Sequence, residues 1–221
     1  MVILVRIKPI TGEIYHLYNR GVEKRDVFVD SVDYIRFIHD LFEFNDTKPA
    51  PPFERRYKTK GKINNKETRE KFVEILCFCL MPNHYHLLVR QLRESGISLF
   101  MQKLGVGYTN AFNEKNSRVG PLFQGKYKLK HVDKDEYLQH LVCYIHFNPL
   151  KFVKTWEALK KRRWSSHLDY LGEDNFASVI EKSFLLEFFG DHKGYERFAK
   201  DWMKYQAKYT NFISSAVIDY D

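Results

Sequence analysis

The sequence is poor in cysteine and has no long hydrophobic run. Its 221 residues include three cysteines, Cys77, Cys79 and Cys143, which form no Cys-x-x-Cys motif and cannot all pair. Cysteines of this kind usually act as small buried apolar residues in a protein of a reducing compartment. No apolar stretch approaches membrane-spanning length, and basic residues follow residues 1–5 too soon for a signal peptide. These absences argue against a secreted or membrane protein and predict a cytoplasmic one.

Acidic residues are too few to balance the basic ones. Lys and Arg number 36 against 28 Asp and Glu, which gives a formal net charge of +8. A basic chain is expected to bind a polyanion, nucleic acid first, although solubility alone is the plain alternative. The hydrophobic content of 44% is sufficient for a proper core. We expect a main domain at residues 1–165 and a helical extension at residues 166–221.

Residue periodicity and turn signals predict four strands and three helices ahead of the extension. Short right-handed connections then favour an α+β fold, a ferredoxin-like (RRM-like) βαββαβ antiparallel sheet with its first and third strands in the centre. The last of the three helices should pack on this sheet. The first strand is predicted within 13–22, ending at Asn19-Arg20-Gly21, and the second and third at 72–80 and 84–92. The fourth follows a turn within 120–132, and the predicted helices are 31–44, 98–113 and 133–148.

Polar residues at the helix starts predict the caps. Asp30, with Asp33 three positions on, should cap the first helix, and Ser98 the second. Asp133 and Glu136 form a capping-box-like pair at the third.

His84 and His86 flank one aromatic residue in the third predicted strand. Because side chains alternate along a strand, both imidazoles should point to one face of the sheet and Tyr85 to the other. Two such imidazoles can share a divalent metal ion. The pair alone is weak support, since a polar sheet face has the same pattern.

A second element downstream strengthens the metal hypothesis. His140, Tyr144 and Asn148 are spaced by four on the third predicted helix, so they share one face. Pro149 should end this helix near Asn148. The helix offers a tyrosine nucleophile and an amide ligand, and two histidines with one amide oxygen suit Mn²⁺ better than Mg²⁺.

Basic clusters are the candidate DNA contacts. Residues 45–71 hold nine Lys or Arg against four Asp or Glu and form a basic insertion, either a solvated face or an arm that follows phosphates. Asn19 and Arg20 end the first strand, as a simple turn or as phosphate contacts. The remaining candidates are Lys126, Lys128 and Lys130, expected as a row on one strand face, and Arg162 and Arg163 in the run 160–163.

The order of these motifs resembles a known family. The His84-Tyr85-His86 motif, followed by a helix that carries Tyr144, is similar to the single-tyrosine HUH transposases, and most similar to the REP-associated tyrosine transposases. Other matching stretches extend the resemblance over about residues 13–172. They are Tyr15-His16, Asn19-Arg20-Gly21, Pro82-Asn83-His84, Leu122-Phe123-Gln124-Gly125, Tyr144-Ile145-His146, Asn148-Pro149 and Trp164-Ser165-Ser166.

The resemblance implies an enzyme that nicks single-stranded DNA beside hairpins with Mg²⁺ or Mn²⁺, leaving a 5′-phosphotyrosine and a free 3′-OH. It implies Tyr144 as the nucleophile, His84 and His86 as metal ligands, and Asn148 as a third ligand. It also adds Gln124 to the DNA contacts and implies a protein associated with the nucleoid.

Two alternatives to a nicking and strand-transfer enzyme stay open. One is a domesticated hairpin-binding protein that keeps the fold, and the other is an RNA-recognition type of module whose sheet face carries stacking aromatics. The two histidines argue against the second. We expect a monomer in which the tyrosine serves its own chain and the extension packs on its own catalytic domain, with a homodimer as the rival.

Overall fold

A single antiparallel sheet forms the centre of the protein. The structure, a computed structural model, describes residues 8–50, 69–151 and 155–205. Within these ranges four strands pair in the order β2-β3-β1-β4, with β1 and β3 in the centre. The predicted ferredoxin-like topology is therefore confirmed. The strands are β1 (Ile14–Arg20), β2 (Val73–Met81), β3 (His84–Gln91) and β4 (Lys128–Val132).

Helices pack on both faces of the sheet and continue beyond it. No helix in the described ranges is long and apolar enough to cross a membrane. Short 3₁₀ turns occupy Val22–Lys24 and Asn148–Lys151. The α-helices are α1 (Ser31–Glu43), α2 (Gly96–Lys115), α3 (Asp135–Phe147), α4 (Trp156–Lys160), α5 (His167–Tyr170), α6 (Ser183–Phe189) and α7 (His192–Lys204).

The two faces of the sheet have different coverings. On one face, Tyr85 of β3 packs against Phe37 of α1, with ring centroids 5.1 Å apart, and α1 packs against α2. On the other face, α3 packs on β2 and β3. The tyrosine-bearing helix therefore lies over the half of the sheet that contains the His84–His86 strand.

Of the three predicted helix caps, one is confirmed and two are wrong. Asp30 accepts from the backbone N–H groups of Val32 and Asp33 in a capping box. The second helix begins at Gly96, before the predicted Ser98, because the buried side chain of Gln91 accepts from Ile97 N at 3.1 Å. The third begins at Asp135, with no side-chain cap from Asp133.

The ends of the basic insertion are held together, while most of its length (residues 51–68) lies outside the described ranges. Asn45 donates to Val73 O at 2.8 Å and accepts from the backbone N–H groups of Phe72 and Val73 at 3.0 Å. Thr47 N donates to Glu70 O at 3.1 Å. These bonds fasten the end of α1 to the start of β2, so the insertion leaves and rejoins the fold at one place.

The extension packs on the tyrosine helix of its own chain. Trp202 of α7 is buried, with its ring centroid 5.4 Å from that of Phe147. Upstream, Ser166 N donates to Phe78 O at 3.1 Å, along the outer edge of β2. Contacts therefore run across residue 165, and the division of the chain there stays a prediction.

Three buried histidines make the fold sensitive to acid. Burial lowers the pKa of His16 and of His167 to about 3, and the pKa of His146 well below its usual range. The unfolded chain binds protons near pH 6.5 and the folded chain does not, so stability is complete above pH 6.5 and lost as pH falls towards 3. Each histidine contributes a slope of about 1.4 kcal/mol per pH unit in that window.

We expect the melting temperature to fall steeply between pH 6.5 and 5. The His167→Gln variant, compared with the unsubstituted protein by thermal unfolding across this range, should have a shallower pH slope. His192→Gln, at a partly exposed position, is the control. Equal slopes in all three proteins would contradict the assignment.

Candidate active site

The His84–His86 pair lies on the face of the sheet that α3 partly covers. The two ring centroids are 5.2 Å apart and the rings are nearly perpendicular, at 89°. Tyr85 points to the opposite face, where it packs against Phe37 and Phe123. The alternation predicted from the strand pattern therefore brings both imidazoles to one place.

Asn148 joins the two imidazoles. Its Oδ1 lies 3.1 Å from His84 Nε2, and its Nδ2 lies 3.2 Å from His86 Nε2. The residue is buried and follows the last residue of α3, where Pro149 was expected to end the helix. Its backbone nevertheless stays helical, at φ −49° and ψ −36°, and continues into a 3₁₀ turn. The helix end thus delivers one amide to both histidines.

Neighbouring residues orient each histidine through its Nδ1 atom, on the side of the ring away from Asn148. Asn83 Nδ2 donates to Lys24 O at 3.2 Å, which directs Asn83 Oδ1 at His84 Nδ1, 2.7 Å away. His84 Nδ1 therefore carries a proton and donates it. A neutral His84 then presents the lone pair of Nε2 to Asn148 Oδ1. The lone pair and the amide oxygen are two acceptors side by side, an arrangement that suits a bound cation.

His16 on β1 orients His86. Its Nε2 lies 2.9 Å from His86 Nδ1, and it is fully buried. Burial, aided by the charge of Lys130, lowers the pKa of His16 to about 3, so the ring is neutral at physiological pH. Because Asn148 Nδ2 donates to His86 Nε2, His86 carries its proton on Nδ1 and donates it to His16. The lone pair of His86 Nε2 therefore also points towards Asn148.

These donors fit a divalent metal ion. His84 Nε2, His86 Nε2 and Asn148 Oδ1 converge. The hydrogen-bond partners of the two imidazoles keep both lone pairs pointed inward, as the partners of metal-bound histidines do. Two imidazoles and one amide oxygen suit Mn²⁺ better than Mg²⁺. In the part of the chain that the structure describes, no three His, Cys, Asp or Glu side chains gather as metal ligands, so the set lacks a carboxylate.

Tyr144 lies beside the pair in the same chain. Its ring centroid is 5.8 Å from that of His86, with the rings at 80°, and 7% of the residue is exposed. It precedes Asn148 by four residues on α3, so both side chains leave the helix on one face. The predicted nucleophile and the three predicted ligands are thus brought together by two elements, β3 and α3.

A buried polar network fixes α3 between Tyr144 and Asn148. His146 Nδ1 and His167 Nδ1 both lie 2.7 Å from the Tyr195 hydroxyl, and His146 Nε2 lies 2.8 Å from Ser166 Oγ. Ser166 Oγ in turn lies 3.3 Å from Phe78 O. One direction of donation satisfies every bond, from His167 through Tyr195, His146 and Ser166 to Phe78 O. The network connects α3 to β2 through the extension.

The candidates at the end of β1 differ in exposure. Asn19 is buried, donates to Gly125 O at 3.1 Å and accepts from Arg20 N, so its amide already stabilises the turn. Arg20 is partly exposed and pairs with His84 across β1 and β3. Gln124 is exposed, and its backbone N–H donates to Arg20 O. Of the three, Arg20 and Gln124 present side chains to solvent near the site.

The predicted row of three lysines is only partly correct. Lys128 pairs with Tyr18 and Lys130 with His16, so both lie on the histidine face. Lys126 precedes the strand, which begins at Lys128, and so does not extend the row. It lines a groove of about 470 Å³ beside α2, with Asn19 and Tyr85 of the opposite face.

The arginines of the 160–163 run lie beyond the β2 edge of the sheet, opposite the β4 edge that carries the lysines. Arg162 is partly exposed and lines a small cleft with Pro82 and Pro149, next to the site. Arg163 is exposed, with its guanidinium carbon 5.8 Å from the Trp164 ring centroid. Arg162 therefore lies near the site at the β2 edge, and Lys128 and Lys130 lie on the histidine face at the β4 edge.

Comparisons with known proteins agree with this geometry. Residues 54–148 match the family described as IS200-like transposases. The resemblance is confirmed. The fold of the chain is similar to a solved structure described as a REP-associated tyrosine transposase bound to a REP hairpin. The TM-score is 0.51 at 14% identity, over 83% of this chain and 96% of that chain. No curated protein matches the chain.

Sequence reasoning missed residues that act through tertiary contacts. His16 and Asn83 were noted only within matching motifs, without their roles behind His86 and His84. The network residues His167 and Tyr195 were not singled out at all. Strand alternation places His16 and Arg20 on one face of β1, but only the register between β1 and β3 shows that this is the face of His86.

We expect His84 and His86 to bind one metal ion together. His84→Ala and His86→Ala should each lose most Mn²⁺ binding, because removing one of three ligands leaves a site without a carboxylate to compensate. A Mn²⁺ titration followed by electron paramagnetic resonance on the DNA-free protein measures this. His131→Ala, on the opposite face, is the control. Unchanged Mn²⁺ affinity in both single variants would show that the ion binds elsewhere.

Proposed function

We propose that this protein is a metal-dependent single-stranded DNA endonuclease and strand transferase that acts at hairpin-associated sites. The observation that carries the proposal is Tyr144, 5.8 Å from His86 beside an Asn148-bridged histidine pair. A phenol beside a candidate ligand set of this kind suits attack on a phosphodiester. The resemblance to IS200-like transposases makes DNA the expected polymer, and the hairpin in the similar solved structure makes hairpin DNA the expected partner.

The proposed reaction stores the cleaved bond on the protein. The Tyr144 oxygen forms a bond to phosphorus as the bond from phosphorus to the 3′ oxygen breaks. The phenolic proton leaves to solvent and the 3′ oxygen takes one up, so the products are a 5′-phosphotyrosine and a free 3′-OH. A divalent ion held by His84, His86 and Asn148 would supply Lewis-acid stabilisation of the phosphate charge. A second 3′-OH attacking the phosphotyrosine would complete strand transfer.

Each tyrosine should act within its own chain. Tyr144 and His86 are in contact in one chain, and the extension covers α3 of that same chain. We therefore propose a monomer that works on DNA, and hence in the nucleoid.

We expect Tyr144→Phe to abolish the covalent adduct while hairpin binding is retained, because the change removes one oxygen and preserves packing. Labelled hairpin DNA with a single-stranded flank is incubated with protein and Mn²⁺ and analysed on a denaturing gel. Tyr137→Phe, a buried tyrosine on the same helix, is the matched control and should keep the adduct. An adduct that persists in the Tyr144→Phe protein would overturn the assignment of Tyr144.

The same assay separates the alternatives. Hairpin binding without an adduct in the unsubstituted protein would favour a domesticated binding protein. Mixing Tyr144→Phe protein with His84→Ala protein should not restore cleavage, since neither chain has a complete site. Restored cleavage would show shared sites and would contradict the monomer.

DNA affinity should depend steeply on salt. Lysines that neutralise phosphates release counterions, so the logarithm of the binding constant falls linearly with the logarithm of salt concentration. Replacing Lys128 and Lys130 by Gln should reduce the slope by about 1.4 to 1.8. Replacing the distant pair Lys200 and Lys204 on α7 is the control. Fluorescence anisotropy at several salt concentrations measures both, and equal slopes would assign Lys128 and Lys130 to a solvated face.

A further inference from the structure

An aromatic side chain adjoins the candidate metal site on the same sheet face. Tyr18 of β1 pairs with His86 on β3 and with Lys128 on β4. Its ring centroid lies 5.8 Å from that of His86 at 28°, and 5.0 Å from that of His16 at 30°. The three rings form one near-parallel group. His16 and His86 are buried, whereas Tyr18 is partly exposed.

The tyrosine helix covers only part of this face. α3 packs on β2 and β3. On the β4 side, Tyr137 of α3 approaches Lys130, whose Nζ lies 5.2 Å from the ring centroid. Lys128 is exposed and Arg20 is partly exposed. An aromatic ring flanked by cationic side chains therefore lies one strand away from the histidine pair.

This combination suits a single-stranded nucleic acid. Sequence-tolerant binding of single strands combines aromatic faces on which bases stack with basic groups that contact the backbone. Neighbouring strands are about 4.8 Å apart, so the side chains of β1 lie one strand spacing from the histidine strand and those of β4 lie two spacings from it. The contacts of Tyr18 with two other rings hold its plane in place, which reduces the entropy lost on stacking.

We propose that Tyr18 is a stacking platform for a base of the single strand next to the scissile phosphate, with Lys128 and Arg20 contacting the phosphates of that strand. The proposal rests on the proposed function for the location of the phosphate. It unites two readings that the sequence offered as alternatives, a histidine face for a metal and a sheet face with a stacking aromatic. Both occur here on one face, on neighbouring central strands.

The test measures binding without cleavage. All variants carry Tyr144→Phe, and each binds two labelled DNAs, a hairpin with a single-stranded flank and the same hairpin without it. Tyr18→Val and Tyr18→Ile, both compatible with a strand, should weaken binding of the flanked hairpin by roughly 5- to 150-fold, the loss of one stacked base. Binding of the bare hairpin should not change. Tyr18→Phe keeps the ring and should bind as tightly as Tyr18.

Tyr127→Val is the matched control, because Tyr127 is also partly exposed but lines the groove on the opposite face. An abasic site placed at each flank position in turn identifies the stacked base. When the abasic site is at that position, Tyr18→Val should cause no further loss of affinity, because the base and the ring form one interaction.

Each outcome decides a different question. The platform is overturned if the Tyr18→Val and Tyr18→Ile proteins bind the flanked hairpin as tightly as the protein that keeps Tyr18, or if they lose the same affinity for both DNAs. It is also overturned if the loss of affinity persists at every abasic position. Such a result would leave adduct formation by Tyr144 untouched. Conversely, a Tyr18-dependent loss of affinity, together with no adduct from the protein that keeps Tyr144, would support the platform and reject the nicking function.

Discussion

The contact of Asn148 with both imidazoles of β3 is the constraint on which the candidate site depends. One amide at the end of α3 fixes how far the helix slides along the sheet, because its two polar atoms must each reach a different ring. Tyr144, one turn earlier on the same helix, is placed against His86 by the same contact. A shift of the helix would separate buried polar groups from their partners, at a cost of about 1–3 kcal/mol for each.

Support for that contact comes from three directions. Asn83 holds His84 from the turn between β2 and β3, and His16 holds His86 from β1. The third support reaches α3 through His146, which is bound by Tyr195 and Ser166. These last two residues lie outside the segment that matches the transposase family, which ends at residue 148. The extension is thus part of the architecture that positions the tyrosine helix.

The sequence was sufficient wherever the deciding interaction is local. Strand alternation places His84 and His86 on one face, helical spacing joins Tyr144 to Asn148, and Pro149 marks the end of α3. It was insufficient wherever a partner comes from far along the chain. The start of α2 was misplaced because Gln91, from the preceding strand, caps it. The roles of His16 and Tyr18 depend on strand register, which a periodic pattern does not determine.

The partial cover of the sheet by α3 follows from the same geometry. Asn148 and Tyr144 must reach β3, and Ser166 ties the helix to the outer strand β2, so the helix lies over the β2–β3 half. The histidine face of β1 and β4 is left to Tyr18, Arg20 and Lys128, which are aromatic or basic and partly or fully exposed. If these positions only filled a core, apolar residues would be expected at them. Their chemistry instead matches the polyanion that the net charge of +8 already indicated.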